Sequence, residues 1–417
     1  MLLRVFFKFK NPGELKAFPG FFIVYCVKNV TTLRVLENFY MKKRRRFSVV
    51  VLCIVSVSCW GGLALAQQID SQATPETQNL YRYLQRIRGH GLPIGQQEAT
   101  LRGSGWVNNQ KCDMREVSGE YPAIYGWDFL NFEDPPYAEG LKYDLQFERA
   151  REAYDRGGIN TFSWHMWNPV TGQSFRDQTP AVKEILPGGS KHGFYKEQLQ
   201  KIADRVKSLR GSDGTLVPIL FRPFHEHIHS HFWWGKNHVS REDFIALWRF
   251  TVTYLRDTLG VHQFLYVFCP GENEDSEFLD RYPGNEYVDV IGVDNYTELN
   301  NHPTGPFAAF GRWMEKRNLI IKMRRLVRAA EYYGKIPAIN EFGAGQIPES
   351  NYWTERFLNP IASDPVARRV AYAMVWGSKN PEFHFSVYPG HHSAPNFIKM
   401  VQNPYSYFES DLKGVYH

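Results

Sequence analysis

The sequence predicts an α/β fold, a (β/α)8 or TIM barrel that forms a single domain. Eight short apolar segments alternate along the 417-residue chain with segments of amphipathic helical pattern. Strands that alternate with helices indicate a parallel sheet, either closed as a barrel or open and doubly wound. The count of eight and the absence of a glycine-rich phosphate loop favour the barrel.

The apolar segments are mostly continuous runs, which is typical of strands that are buried on both faces of a parallel sheet. In chain order they are Leu92–Gln97, Tyr121–Phe129, Ile159–His165, Val217–Phe224, Phe264–Phe268, Asp289–Asp294, Ile336–Asn340 and Val370–Trp376. We therefore expect these eight segments to form the eight β-strands of the barrel.

Helical patterns fill the intervals between these runs. One has apolar residues spaced by four and three, at Tyr195, Leu199, Ile202, Val206 and Leu209. A second covers Ser240–Leu259, with Ser240 as N-cap, Asp243 at the capping-box position and Gly260 as the stop signal. A third covers about Arg317–Tyr333 and ends at Gly334.

Residues 41–66 have the composition of a signal peptide. Five basic residues follow Met41, a short apolar run comes next, and Ala64-Leu65-Ala66 provides a cleavage site before Gln67. The apolar run is shorter than the roughly 20 residues that a membrane span needs. We therefore expect a secreted or periplasmic protein, with lipid anchoring at Cys59 as the less favoured alternative.

Residues 1–40 precede this signal, although a signal peptide belongs at the N-terminus. We interpret them as a non-native upstream extension, with the true start at Met41. Residues 67–77 are polar and are predicted to be a linker. The single barrel domain is then expected to cover residues 78–415.

The positive charge of the chain lies in the leader. Residues 1–66 hold 11 of the 49 basic and 2 of the 43 acidic residues, so the remainder carries a net charge of −3. A net charge of −3 does not indicate a surface that binds nucleic acid, and it suits an uncharged partner. Only Cys112 and Cys269 follow the predicted cleavage site, and the sequence leaves open whether they pair.

Polar and aromatic residues cluster where the predicted strands end, and in a barrel these ends carry the chemistry. Glu226 follows the fourth strand and Glu341 the seventh, and these strands face each other across an eight-strand ring. Glycosidic bond cleavage needs one carboxylic acid and one carboxylate on opposite sides of the bond. Trp127, Trp164 and Trp233 are expected to offer flat apolar faces to sugar rings.

The segment His225-Glu226-His227-Ile228-His229 also matches the zinc motif H-E-x-x-H. That motif binds zinc on a helix, where the two histidines share one face. Here it follows a strand, and Pro223 precedes it by two residues, so an extended or loop structure is expected. We therefore predict neither a metal nor a cofactor.

These residues resemble glycoside hydrolase family 26, best known for β-mannanases, over nearly all of residues 80–410. The most specific motifs are FRPFHE at 221–226, FWWG at 232–235 and NEFG at 340–343. Supporting motifs are YPAIYGWD at 121–128, SWH at 163–165, NP at 168–169, YPG at 282–284 and GVDNY at 292–296. Their order along eight strands is hard to obtain by chance.

The resemblance implies roles for individual residues. Glu226 would be the acid/base and Glu341 the nucleophile, with carboxyl carbons about 5–5.5 Å apart. His225 would position the carboxylates, Tyr296 would hydrogen-bond the nucleophile, and Trp376 would form the floor under the sugar. The residues expected to contact sugar or to support the residues that do are His165, Trp234 and Asp294.

One departure concerns the residues after Trp376. Many members of the family carry an Arg-Asn pair there, whereas this chain has Gly377-Ser378. The usual contact with the next sugar on the non-reducing side is therefore not expected in the same form.

The resulting functional hypothesis is a retaining glycoside hydrolase that cleaves β-1,4-mannosidic bonds in mannan, glucomannan or galactomannan. A mannobiose-releasing exo-enzyme, a β-1,3-xylanase and a mixed-linkage β-glucanase remain alternatives on the same fold. A carbohydrate-binding barrel without activity is the alternative from another class, and a zinc peptidase is the third. The expected partner is a polysaccharide, and we expect a monomer that binds neither nucleic acid nor, after signal cleavage, a membrane.

Overall fold

The computed structural model of the protein describes residues 68–130, 143–272 and 276–417. The predicted upstream extension, signal peptide, cleavage site and alternative lipid site at Cys59 lie outside these residues and stay predictions. In the part of the chain that is described, no helix is both long and apolar enough to cross a bilayer.

Eight parallel strands close into a barrel, as predicted. They are β1 (Leu92–Gln97), β2 (Ile124–Asp128), β3 (Ile159–Trp164), β4 (Ile219–Pro223), β5 (Phe264–Phe268), β6 (Val290–Asn295), β7 (Ile336–Phe342) and β8 (Ala373–Val375). Each strand pairs with the next along the chain, and β8 pairs with β1 to close the ring. All eight carboxyl ends therefore open on one face.

Every residue of these eight strands is buried, because helices cover the outside of the barrel and side chains fill its inside. The α-helices are Pro75–Ile87, Asp113–Ser118, Tyr143–Asp155, Val182–Ile185, His192–Ser208, Arg241–Thr253, Thr297–Asn300, Ala308–Tyr332, Asn359–Ser363 and Ala394–Val401. Tyr254–Thr258 and Tyr352–Leu358 are π-helical, and Ser276–Leu279, Asn285–Tyr287, Ala367–Arg369 and Glu409–Asp411 are 3₁₀ turns.

Helix Arg241–Thr253 shows how a local signal fixes an element. Ser240 Oγ accepts a hydrogen bond from the Asp243 backbone N–H at 3.0 Å, which satisfies one of the free donors of the first turn. The long helix begins at Ala308, nine residues before the predicted start. Its first turns carry exposed aromatic residues, so they lack the one-sided apolar pattern on which the prediction relied.

The segment predicted to be a linker before the barrel domain is not free of the barrel. Residues 68–77 pack on the barrel: Ile69 N donates to Asp289 Oδ1 at 2.9 Å, and the buried Asp70 pairs with His262 at 2.8 Å. Thr74 then caps helix Pro75–Ile87. The segment is polar because it is held by hydrogen bonds, and polarity alone does not separate such a segment from a free linker.

Short strands extend the two ends of the barrel. Arg102–Gly103 and Trp106–Val107 form an antiparallel pair after β1, and Ser406–Tyr407 pairs in parallel with the start of β1. Cys112 and Cys269 are both buried and are free thiols, so the two do not form the bridge that the sequence left open.

Candidate active site

Glu341 lies near the end of β7 and points across the barrel. The register between β6 and β7 shifts at this point, so that Asp294 pairs with Glu341 while Val293 pairs with Ile339. Gly292 allows the irregularity, because the Nδ2 atom of Asn340 lies 1.8 Å from where a Cβ at position 292 would be. The shift aims the Glu341 carboxylate into the mouth of the barrel.

Two donors hold this carboxylate. Arg222 Nη2 donates to Glu341 Oε1, and the Tyr296 hydroxyl donates to Oε2 at 2.9 Å. Arg222 lies on β4, which β5 and β6 separate from β7, so the contact runs through the barrel interior. Glu341 is only 4% exposed, which leaves it a narrow opening towards solvent.

Arg222 connects two carboxylates. Its Nη1 donates to Asp294 Oδ2 at 3.1 Å, and both side chains of this pair are buried. Asp294 is therefore placed beneath the cleft, where it orients Arg222 and has no surface for a sugar. A buried guanidinium needs such partners, because an unpaired charge in the interior is costly.

Glu226 lies in a turn that begins where β4 ends. Pro223 is the last strand residue, and Phe224 and Glu226 both have left-handed backbone conformations with φ of 49° and 54°. Glu226 N donates to Cys269 O at 3.0 Å, which ties the turn to the end of β5. Backbone of this kind is costly and persists where the surroundings enforce it, as at active sites.

The H-E-x-x-H segment is irregular and contains no helix, in line with the structural prediction. The Nε2 atoms of His225 and His165 lie 3.0 Å apart in a hydrogen bond. His227 is buried between Phe244 and Phe268, at centroid distances of 4.2 and 4.9 Å. The histidines of the segment thus point in different directions.

A chain of polar contacts runs from β2 to the Glu226 turn. Asp128 accepts from the His165 backbone at 3.1 Å and from the hydroxyl of Ser163 at 2.9 Å, and it pairs with the His165 ring. His165 in turn reaches His225, next to Glu226. Burial, with the charge of Arg222, holds the pKa of His225 well below its ordinary range, so this ring is neutral.

The carboxylates of Glu226, Asp294 and Glu341 converge. One oxygen from each lies within 4.8 Å of the others. At this distance, ionisation of one carboxyl group opposes ionisation of the next. The arrangement brings together the two glutamates that the sequence singled out.

The pKa values of Glu226 and Glu341 are shifted in opposite directions. Burial opposes ionisation of Glu226, but a hydrogen bond from His231 at 2.7 Å and the charge of that ring lower its pKa below the ordinary value. Burial raises the pKa of Glu341; Arg222 opposes the rise and Glu226 adds to it. Without substrate, the contact with His231 therefore favours the ionised form of Glu226.

Trp376 follows β8 directly and is partly exposed, so it is available as a surface in the cleft. Its backbone N donates to Phe342 O at 2.9 Å, which places it beside the residue that follows Glu341. Trp234 is fully buried, and its Nε1 donates to His225 O at 2.7 Å. It supports the backbone of the Glu226 turn and presents no face to the cleft.

Three tryptophans expected to contact sugar lie in the core instead. Trp127 is fully buried and donates to Asn160 Oδ1 at 2.7 Å. Trp164 is 3% exposed and stacks with Tyr195 of helix His192–Ser208, and Trp233 is fully buried and donates to Met166 O. Strand residues alternate between the two faces, and Trp127 and Trp164 occupy the face that packs on helices.

Arg222 and Asp128 lie in sequence motifs that predicted no role for them, and no role was predicted for His231. The signal for Arg222 was its position inside an otherwise apolar strand, because a buried arginine must have partners. Nothing in the sequence set His231 apart from its neighbouring histidines.

The sequence profile described as glycosyl hydrolase family 26 matches residues 69–361, more than half of the chain. A mannan endo-1,4-beta-mannosidase of Bifidobacterium adolescentis is 34% identical over 327 residues, which covers 74% of this chain and 32% of that protein. A mannan endo-1,4-beta-mannosidase of Bacillus subtilis is 29% identical over 61% of this chain and 74% of that protein. The chain thus spans about a third of the length of the Bifidobacterium relative.

Solved structures of similar proteins have the same fold. An endo-beta-1,4-mannanase from Cellulomonas fimi superimposes with a TM-score of 0.75 at 35% identity, over 84% of this chain and 79% of that one. A family 26 β-mannanase from Bacteroides ovatus gives the same TM-score at 32% identity, over 82% of this chain and 98% of that one. With the profile match and the closed eight-stranded barrel, these similarities establish that the chain belongs to glycosyl hydrolase family 26.

Proposed function

We propose that the protein is a retaining endo-β-1,4-mannanase. The observation that carries the proposal is that Glu226, in the turn after β4, and Glu341, on β7, have carboxylate oxygens within 4.8 Å of each other. Close carboxylates suit direct attack on the anomeric carbon, whereas inversion needs room for a water between them. The specificity for mannan is supported by the names of the relatives.

In the first step Glu226 donates a proton to the glycosidic oxygen as the bond from that oxygen to the anomeric carbon breaks. Glu341 attacks the same carbon and forms a covalent glycosyl-enzyme. Arg222 and Tyr296 point Oε1 and Oε2 of Glu341 into the cleft, so they set the direction of attack. In the second step Glu226, now a carboxylate, takes a proton from water, and the oxygen of that water attacks the carbon and releases Glu341.

The first step needs a proton on Glu226, whereas the contact with His231 lowers the pKa of this group without substrate. His231 hydrogen-bonds Glu226 Oε2 at 2.7 Å, while its own side chain is 36% exposed. We infer that the bound sugar chain displaces this ring, so that the leaving oxygen replaces it beside Glu226. Without that ring, burial and the negative charge of Glu341 raise the pKa of Glu226, so that it can hold the proton the first step needs.

Product analysis tests the reaction and the substrate together. The purified protein is incubated with mannan, galactomannan, glucomannan, lichenan and β-1,3-xylan, and anomeric configuration is followed by NMR. We expect internal cleavage of the mannans with β-configured first products. Inverted products, mannobiose as the only early product, or preference for lichenan or β-1,3-xylan would each contradict the proposal.

Secretion is a separate part of the proposal and is supported by the signal-like segment 41–66. N-terminal sequencing of protein recovered from the periplasm or medium should begin at Gln67. A mature N-terminus upstream of Met41, or a lipid on Cys59, would contradict it.

A further inference from the structure

A groove lies between the first turns of helix Ala308–Tyr332 and the segment that follows β7. It has a volume of about 310 Å³. Among the side chains that line it are Trp313, Glu315, Lys316, Glu349, Asn351 and Arg356. One aromatic ring with several charged and amide groups is a lining suited to a small polar ligand with apolar faces.

The aromatic residue that lines the groove, Trp313, is exposed, as are two aromatic residues that precede it on the chain. Trp313 is 56% exposed and Phe310 is 62% exposed, and their rings stack with centroids 5.8 Å apart. Phe307, three residues earlier, is 79% exposed. Neighbouring large aromatics exposed to water indicate a contact surface, since scattered single residues would need no such explanation.

The polar wall contains atoms without partners. Glu315 and Arg356 have side chains at least nine-tenths buried and hydrogen-bond each other at 2.5 Å. Glu315 Oε1 and Arg356 Nη1 have no hydrogen-bond partner in the described ranges, and Glu349 Oε1 lies 3.8 Å from Nη1. An unsatisfied acceptor beside an unsatisfied donor costs stability. Adjacent hydroxyl groups, each both donor and acceptor, would satisfy them together.

The position of the groove relates it to the cleft. Glu298 lies on its wall and accepts a hydrogen bond from Asn295, the last residue of β6, at 2.8 Å. Glu349 follows the end of β7 by seven residues. The groove therefore lies among the loops that follow β6 and β7, on the face of the barrel that carries Tyr296 and Glu341.

We propose that this groove is a second saccharide-binding site, which takes a neutral hexopyranose unit of the polysaccharide outside the cleavage site. The sugar ring would stack on Trp313, and adjacent hydroxyls would bond Glu315 Oε1 and Arg356 Nη1. The identity of the ligand rests on the proposed function, since a protein that cleaves mannan meets a long chain of such units. The groove raises the local concentration of polymer and adds nothing to the cleavage of a short substrate.

The test compares Trp313→Ala with Tyr332→Ala. Tyr332 is 83% exposed and ends the same helix, so its removal is a matched loss of an exposed aromatic residue. We expect Trp313→Ala to lower kcat/KM on insoluble mannan about three- to tenfold, the range for loss of one stacking contact. On mannopentaose it should match the wild type, and Tyr332→Ala should match the wild type on both substrates.

Binding is measured separately with both changes in a Glu341→Gln background, by retardation in native gels that contain galactomannan. We expect Trp313→Ala to reduce retardation and Tyr332→Ala to leave it unchanged. Equal behaviour of the two variants would overturn the inference, as would self-association of the wild type that Trp313→Ala abolishes, which would assign the groove to a second copy of the chain. If the wild-type protein cleaves none of the polysaccharides, the proposed function is contradicted. If the wild type is active but Trp313→Ala behaves like Tyr332→Ala, only the second binding site is contradicted.

Discussion

The two glutamates that we propose as catalytic are held by opposite means. Glu341 lies within a strand, 4% exposed, between the guanidinium of Arg222 and the hydroxyl of Tyr296. Glu226 lies in a turn with left-handed backbone, and its carboxylate bonds a histidine that is itself 36% exposed. One carboxylate is fixed by a buried arginine and a partly buried tyrosine, whereas the other has a partner that solvent or substrate can displace.

This difference fits the roles that we propose, nucleophile for Glu341 and acid/base for Glu226. A nucleophile has to keep one direction throughout, because it attacks and leaves along the same line. An acid/base has to gain and lose a proton within one cycle, so its surroundings must change between the two steps. A strained, histidine-bearing turn allows that change without moving the strands.

The strongest test of this difference between Glu226 and Glu341 is to remove each carboxylate in turn. We expect Glu341→Ala to lose activity by at least about 10⁴-fold on every substrate, activated aryl glycosides included, because no other group can attack. Glu226→Ala should keep the first step on aryl glycosides whose leaving group needs no proton, and should accumulate the glycosyl-enzyme.

Azide provides the internal control for this pair. It should restore turnover to Glu226→Ala with product of retained configuration, and to Glu341→Ala with product of inverted configuration, as followed by NMR. The opposite pattern would mean that the two roles are exchanged.

The next largest effect should come from Arg222→Met. It leaves Glu341 and Asp294 buried without their cation, which costs about 3–5 kcal/mol of folding stability for a broken buried pair. Because Arg222 opposes the rise in the pKa of Glu341, its loss should raise that pKa further. The acidic limb of the kcat/KM profile should then move to higher pH. Thermal unfolding and a pH series measure both effects; a variant with the melting temperature and acidic limb of the wild type would contradict the assignment.

A smaller effect is expected for Trp376→Ala. Loss of a stacking surface beneath the sugar is worth about 1 kcal/mol beyond area burial, or about a fivefold fall in kcat/KM. The fall should be similar on all substrates, with unchanged circular dichroism. Trp127→Phe is a control in the core, which should alter stability more than kcat/KM. Wild-type kinetics for Trp376→Ala would show that this ring is not the floor of the site.

The smallest effect, and the one that most sharpens the comparison, concerns His231→Ala. His231 lowers the pKa of Glu226, so its removal should raise that pKa. An acid with a higher pKa keeps its proton to higher pH, and the alkaline limb of kcat/KM should therefore move upward on mannan. Aryl glycosides that need no acid should show no such movement. A downward movement on mannan would mean that His231 supplies the proton.

The barrel could be predicted because the pattern of an apolar segment followed by an amphipathic helix recurs along the chain. An error in the bounds of one strand does not change the number of strands. Glu226 and Glu341 could be found because each follows a buried strand, where an acidic residue has few structural uses. The tryptophans could not be assigned from sequence. Trp127 and Trp376 both stand at strand ends, and only the pleat of each strand decides which ring faces the helices.

Two element boundaries and one side-chain contact could not be predicted from the sequence, for different physical reasons. The polar segment 68–77 was expected to be a linker because hydrogen bonds to Asp289 and His262, about 190 to 220 residues away, leave no local pattern. The start of helix Ala308–Tyr332 was missed because its first turns face solvent with aromatic side chains. The contact between His231 and Glu226 depends on the course of a turn, which composition does not determine.

The three residues of β8 have a consequence for how the chain is made. They pair with β7 on one side and with β1 on the other, so Ile94 meets Ala373 across most of the sequence. Until that strand emerges from the ribosome, β1 and β7 are two unpaired edges, open to pairing with other chains. Folding should then depend on contacts that form late and between distant residues, which makes it slow and sensitive to chaperones. Nascent chains halted before residue 373 should aggregate, although seven of the eight strands are already present.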